Sequence, residues 1–561
     1  MQRSPGAGDS TSTPAFHLMS VRRVPVLVLL CVACAAHEVS ASRPASAFVA
    51  LMAGQRARPL NGVFNNVPVL HSNQPEIVTG PGILVDTAPG NAIAAETGRP
   101  LRNAEYTFNG EFGVHMHHKY YPTDSSKLGG RRARGLLTLA LIASNPGSRP
   151  VTLTFDRGSV KNSFEAPYHP NNLMGVKPLG KRPWNTGPGD ATAVQLLRNE
   201  LDRKLPSSVS IPPRGRVVVV RTVLPARGIA NGLLHGRSDG PFTMAVVAAE
   251  QTSQDRDLFA VLNKKRLAPG RIYLNRIREI QSGRVFSRVA GVALGDRYRA
   301  SIRHDLGQGP LHVPLTSTSR HHFGTREIQV NQLATRMIDS SVNNVGTYGV
   351  RYDVTFNLTG QGRHQLVMSH PVVSGKKPFT AFRGSMQIHQ AGTLQEVHVG
   401  LRSGESLALT DIQLKPGQVT PMKVSLVYPA DATPGHLLSI VPLQQLAMLH
   451  QRQQLQRAAQ RKLEVEKARK IGPKIAPPDL APNPAARPVP KPITIKKQPV
   501  VRTRPVTKPS LKSFEVRGQP SLYRPLPPPP PPPVVIPGMK DPRYTDAIRT
   551  QQQWLRQLQG R

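Results

Sequence analysis

The chain is short of thiols, aromatics and negative charge, and each shortage removes a class of protein. Its two cysteines, Cys31 and Cys34, stand close together near the N-terminus. Disulfide frameworks and Cys-ligated zinc are therefore excluded from the rest of the sequence. Aromatic residues make up 5% and hydrophobic residues 39% of 561. That is too little for one fully packed body of this length, so part of the chain is expected to lie outside any core. Only 33 acidic residues face 73 lysines and arginines. With carboxylates so sparse, no spacing singles out the pair on which glycosidases depend, and Glu105, Glu111 and Asp156 stay unranked candidates. Phosphate-binding and dinucleotide glycine motifs are missing as well. The glycines of 283–300 have the wrong spacing and read as strand, turn and strand.

What the chain has in excess is positive charge, a net +40. A surplus of that size attracts polyanions through long-range fields and says nothing about fold. It is concentrated toward the C-terminus, where Pro442 to Arg561 holds 23 basic and 6 acidic residues. The expected partners are an anionic cell-wall glycan or lipid surface, or another envelope protein. Nucleic acid is not expected, because aromatics are sparse and no recognised binding motif is present.

Compartment follows from the N-terminus. Arg22 and Arg23 precede an apolar run from Val24 to Ala36, and Val39-Ser40-Ala41 offers small residues for cleavage, with Ala45-Ser46-Ala47 as a second exit. This pattern reads as a secretory signal over 1–41, with Met19 as the start and Ser42 or Phe48 as the mature N-terminus. The run is too short to span a bilayer, so no transmembrane helix is expected in the exported protein. Both cysteines leave with the signal, unless Cys34 is lipidated; Cys31 stands where a lipidation site would carry leucine. The protein is thus placed in the periplasm or envelope, or outside the cell.

From about residue 58 to 441 short apolar runs alternate with Gly, Pro and Asn. Leu136–Ala143, Val151–Phe155, Val217–Val223, Pro241–Ala249, Gly349–Leu358, Gln395–Leu401 and Pro421–Tyr428 are strand-like. No βα alternation joins them, which points to a mainly β protein of two antiparallel, sandwich-like halves, 58–250 and 271–441. A helical connection at 251–270 separates them, with Ser253 as its cap, Leu258, Val261 and Leu262 on one face, and Pro269-Gly270 as its stop. A polar helix over 442–470 follows. Residues 471–540 hold 21 of the 55 prolines and read as a basic, disordered polyproline linker. Its composition resembles the periplasm-crossing linkers of TonB-type proteins. Asp541 and Pro542 open a short terminal helix over 541–561.

The wording of the body is also familiar. The stretches RPLNGVFNNVPVLHSNQPEIVTGPGILVDT (58–87), FNGEFGVHMHHKYY (108–121), LLTLALIASNPGSRPVTLTF (136–155), GTYGVRYDVTFNLT (346–359) and VSLVYPADATPGHLLSI (424–440) occur in this order. Over about 58–440 the chain resembles the uncharacterised, chiefly cyanobacterial family of exported proteins catalogued as domain of unknown function 3370. That resemblance implies an extracytoplasmic protein and carries over no catalytic residues.

Two constellations invite chemistry. His115, His117 and His118 could ligate zinc or copper; on a strand His115 and His117 share a face and lie about 6.6 Å apart. His321 and His322 are further imidazoles with nothing in the sequence to bring them near. Gly236-Arg237-Ser238-Asp239-Gly240 has the form of a nucleophile elbow, but Pro241 and a β-like run follow where a helix is required, so it reads as a hairpin loop. The expected function is a non-enzymatic binding or structural module with a cationic tail, without cofactor. The alternative is an envelope hydrolase assisted by metal at the histidines.

Overall fold

Turn residues recur at intervals of roughly a strand's length, and the residues between them become twenty-four strands among the described residues. The computed structural model describes residues 56–470, apart from 74–76, 130–133, 170–172, 182–184, 320, 371–377 and 431. The expected signal, proline-rich linker and terminal helix lie outside them. The early strands are β1 (Val63–Phe64), β2 (Pro68–Asn73), β3 (Gly82–Asp86), β4 (Asn91–Ile93), β5 (Pro100–Arg102) and β6 (Glu111–Lys119). Next come β7 (Leu136–Ser144), β8 (Val151–Asn162), β9 (Gly175–Pro178) and helix α1 (Pro188–Leu197). They are followed by β10 (Ser208–Ile211), β11 (Arg216–Pro225), β12 (Ile229–Ser238) and β13 (Thr243–Glu250). Helices α2 (Asp255–Asn263) and α3 (Ile277–Gln281) lead to β14 (Val289–Leu294), β15 (Arg297–Asp305), β16 (Leu311–Leu315) and β17 (Leu333–Arg336). Then come β18 (Arg351–Thr359), β19 (Gly362–Ser369), β20 (Thr380–Gln390) and β21 (Thr393–Arg402). The last are β22 (Ser406–Leu414), β23 (Thr420–Val427), β24 (His436–Pro442) and helix α4 (Leu443–Lys470).

These elements build two β-sandwiches. In the first, the sheet β10-β8-β12-β6-β2-β14-β17 and the sheet β11-β7-β13-β3 share one apolar core that includes Leu70, Phe112, Val114, Leu139 and Val246. In the second, β1-β15-β18-β23-β20-β21-β9 and β16-β24-β19-β22 share another, including Tyr352, Phe356, Leu366, Val399 and Leu438. Period-two alternation sends one set of side chains into each core and leaves the other set on the outer faces. Among the described strands the ladders are antiparallel except between β2 and β6 and between β15 and β18, two parallel contacts that strand-like runs alone do not reveal.

The two sandwiches repeat one plan. The order β10-β8-β12-β6-β2 in the first matches β21-β20-β23-β18-β15 in the second, and β11-β7-β13-β3 matches β22-β19-β24-β16. Matched strands run in the same chain order, and the parallel pair falls at the same place. The sequence keeps a trace of this. Gly110-Glu111-Phe112-Gly113-Val114 leads through β6 as Gly346-Thr347-Tyr348-Gly349-Val350 leads into β18, and Ser-Asn-Pro at 144–146 answers Ser-His-Pro at 369–371.

Each copy also lends strands to the other, β1 and β9 to the second sandwich and β14 and β17 to the first. β1 precedes β2 in the chain but pairs with β15, while β14 precedes β15 but pairs with β2. The two crossing segments are tied together at Asn65. Its amide donates to Asp296 Oδ1 at 2.6 Å, and its carbonyl oxygen accepts the Asp296 and Arg297 backbone N–H groups at 3.0 and 3.1 Å.

Helix α1 is a second tie. It packs against β8 and β12 of the first sandwich and β20 and β23 of the second. Nearly every residue of it is buried, so it has no polar face and no amphipathic signature. It therefore leaves no periodic mark in the sequence, although Gly187-Pro188 is a helix start. Helix α2 occupies part of the expected connection with Leu258 and Leu262 buried, but its cap differs. Gln254 holds the N-cap position, and the Thr252 hydroxyl, not Ser253, accepts the Gln254 N–H at 3.0 Å. The polar helix α4 begins at Leu443 and buries Leu446 and Leu449 against Val367 and Val441.

Candidate functional site

Strand β6 separates the histidines that the sequence groups together. Val114, Met116 and His118 turn toward the first core, whereas His115 and His117 turn to the outer face. His118 Nε2 lies 2.8 Å from Ser72 Oγ, and His117 Nδ1 lies 2.8 Å from Asn231 Oδ1. His115 pairs instead with His71 from the neighbouring parallel strand, one Nδ1 donating to the other at 3.3 Å. Burial drives the His71 pKa down to about 3 and holds His115 and His118 well below the usual imidazole range. All three are therefore neutral rings near pH 7. Among the described residues, no group of three or more His, Cys, Asp or Glu side chains converges as metal ligands. His321 lies beside Gly435, and among the described residues it forms no ligand group with the histidines of β6.

The other sequence candidates are also dispersed. Glu105 pairs with Arg102 at 3.0 Å, Glu111 with Arg237 at 2.9 Å, and Asp156 with Arg157 at 2.6 Å and His235 at 2.7 Å. Ser238 ends β12 and its hydroxyl accepts the Gly110 N–H at 3.0 Å. The segment after it is not a hairpin, because β12 and β13 belong to different sheets and 239–242 arches between them. The strand-to-helix geometry of a nucleophile elbow is missing there.

The matching position in the second sandwich carries different chemistry. Strand pairing places Arg297, Arg351, Asp353 and Ser425 where the first sandwich has His71, His115, His117 and Asn231. Asp353 is buried and accepts a hydrogen bond from Ser425 Oγ at 2.5 Å. Arg297 Nε also bonds to it, Arg351 Nε lies at 3.2 Å and Lys423 Nζ at 3.5 Å. Burial opposes ionisation of Asp353, but the Ser425 hydroxyl and the Arg351, Arg297 and Lys423 charges outweigh it and hold the carboxyl below its usual range. Beside this cluster a cleft of about 460 Å³ opens, lined by Asn61, Arg297, Arg299, Ser301, Asp353, Thr355 and Lys423 among others. Reading by motif missed these residues, since no spacing marks them. The repeated Gly-x-aromatic-Gly-Val segment was the signal that would have aligned β18 with β6 and drawn attention to Asp353.

Residues 55–442 match the family described as protein of unknown function (DUF3370). The chain belongs to the DUF3370 family. Both sandwiches, helix α1 and the Asp353 cluster lie inside the DUF3370 region, and α4 begins where it ends. No curated protein matches the chain. Among solved structures, the tandem CBM51 modules of the family 98 glycoside hydrolase from Streptococcus pneumoniae SP3-BS71 align at 10% identity. That alignment covers 64% of this chain and 92% of the other at a TM-score of 0.14, too low to support any argument. Among the described residues, no helix is long and apolar enough to cross a membrane.

Proposed function

We propose that this DUF3370 protein is exported to the periplasm or cell envelope. There it acts as a non-enzymatic binding module that holds anionic cell-wall glycan or lipid surface, or another envelope protein. The signal-like Arg22 to Ala41 segment supports export. The observation that carries the binding role is the net charge of +40, which extends from the sandwiches into the chain after Pro442. Charge of this sign and size concentrates polyanions at the surface whatever the fold beneath it. The segment after Pro442, rich in lysine, arginine and proline, serves in this reading as a cationic arm. Co-sedimentation with isolated envelope polysaccharide and with anionic vesicles, using protein with and without residues 442–561, tests it. Marked weakening on removal of the arm is expected; equal pelleting of both forms returns the binding to the sandwiches.

One observation favours the metal-assisted hydrolase as a second reading. His71, kept neutral by burial, brings a further imidazole beside His115 on the outer face that also carries His117. Zinc and copper titration of the exported protein distinguishes the two. Stoichiometric metal that is lost in His117→Ala would favour the hydrolase.

A further inference from the structure

We propose that the cleft on the outer face of the second sandwich is a binding site for a carboxylated or sulfated sugar unit. This rests on the anionic-glycan reading and names the place and the chemistry. Strand register sets Arg299 beside Asp353, and Ser301 beside Thr355, which in turn faces Lys423. Side chains of the same parity on three adjacent strands thus form one polar, cationic floor. Asp353 is the one carboxylate lining the cleft, and it is already engaged by Arg297, Arg351, Lys423 and Ser425. The positive charge around it exceeds what it can neutralise. Arg299 is exposed, and it has no ion-pair partner among the described residues.

A guanidinium presents a planar fork of donors that matches carboxylate or sulfate oxygens two at a time. Arg299 supplies that fork and Lys423 a second cation, while Asn61, Ser301 and Thr355 supply neutral groups suited to sugar hydroxyls. The cavity volume of about 460 Å³ lies within the range of roughly 300–1,000 Å³ common to small-ligand sites. Ala300 is the lone apolar residue of the lining and no aromatic ring enters it. A lipid tail would find nothing apolar to bury against, and a nucleobase would find no ring to stack on.

The repeated plan provides an internal control. In the first sandwich the positions matching Arg299 and Lys423 are Asn73 and Ile229. Lys119 stands there at the position of Thr355, so the same scaffold carries one lysine where the second sandwich carries both Arg299 and Lys423.

The test is calorimetric titration of the intact protein with oligogalacturonate, with a sulfated oligosaccharide, with a neutral oligosaccharide and with anionic vesicles. Running it at about 0.15 M salt screens diffuse attraction beyond about 8 Å. Saturable binding of an acidic sugar is expected, weakened about tenfold or more in Arg299→Gln. The charge-matched control Arg149→Gln, on an exposed turn of the first sandwich, should leave it unchanged. Carbodiimide coupling of the bound uronate should attach to Lys423. Sugar binding that is equal in both variants overturns the cleft while leaving the general reading intact. Absence of sugar binding with retained binding to vesicles overturns the cleft in favour of a lipid surface. Loss of every anion interaction in the parent protein overturns both readings.

Discussion

The first and second sandwiches use matched strands in the same order, and they differ in chemistry on the outer face beside their parallel strand pair. The first carries imidazoles that burial keeps neutral. The second carries guanidinium and ammonium groups around one ionised carboxylate. Inward-facing residues such as Met116 and Tyr352, which occupy matched positions, remain large and buried in both. Core positions are held by packing, whereas the outward set can change its chemistry without altering the strand plan.

Exchanged strands make the two copies dependent on each other, and separating them should have the largest effect. A chain ending at residue 285 loses β14 and β17, leaving the β2 edge unpaired and part of the first core uncovered. It should show no cooperative unfolding transition by circular dichroism, a loss of the whole stability of a domain, about 5–15 kcal/mol. A native-like, cooperative fragment would show instead that the first sandwich is self-sufficient.

Two buried carboxylates give the next largest contrast. Asp339 accepts from Arg288 at 3.0 Å and from Arg271 at 3.1 Å, while those arginines also donate to Leu84 O at 2.7 Å and Ile83 O at 3.2 Å. Burial opposes the Asp339 charge, and the two arginines overcome it, holding its pKa low. Asp339→Ala strands two buried guanidinium groups and should destabilise by about 3–5 kcal/mol in urea titration. Asp353→Ala should cost less, about 1–2 kcal/mol, because Arg297, Arg351 and Lys423 all keep some contact with water. Equal losses at both positions would mean that exposure does not set the difference.

A smaller effect is expected from pH. His71 has a folded pKa near 3 against about 6.5 for an unfolded imidazole. Below about pH 6.5 the unfolded chain therefore binds protons that the native chain refuses, and stability falls toward pH 3. His115 and His118 are shifted in the same direction. Each contributes up to about 1.4 kcal/mol per pH unit in that window. Urea midpoints at pH 7.5 and 5.5 should differ, and His71→Asn should narrow the gap. An unchanged midpoint between the two pH values would contradict the burial of neutral rings.

Much of the fold could be read from local pattern. The Val217–Val223 run became part of β11 and the Leu443 helix began where its composition changed, since β-branched runs and turn residues act over short distances. Helix α1 escaped because a helix buried on all sides carries no period. The strand exchange escaped because pairing of β1 with β15 joins residues more than two hundred positions apart. At the histidines, His117 and His118 are adjacent on a strand and so were bound to face opposite sides, a constraint visible in the sequence itself. The partner of His115 was not visible, because His71 comes from another strand.

The proposed hold of the protein on anionic envelope material is one of charge. Co-sedimentation of the intact protein with isolated envelope polysaccharide, across a salt series, tests it most directly. Screening shortens from about 10 Å at 0.1 M to about 3 Å at 1 M salt, so pelleting should fall steeply over that range. It should fall earlier when residues 442–561 are removed. Pelleting that is insensitive to salt and the same for both forms would contradict the claim.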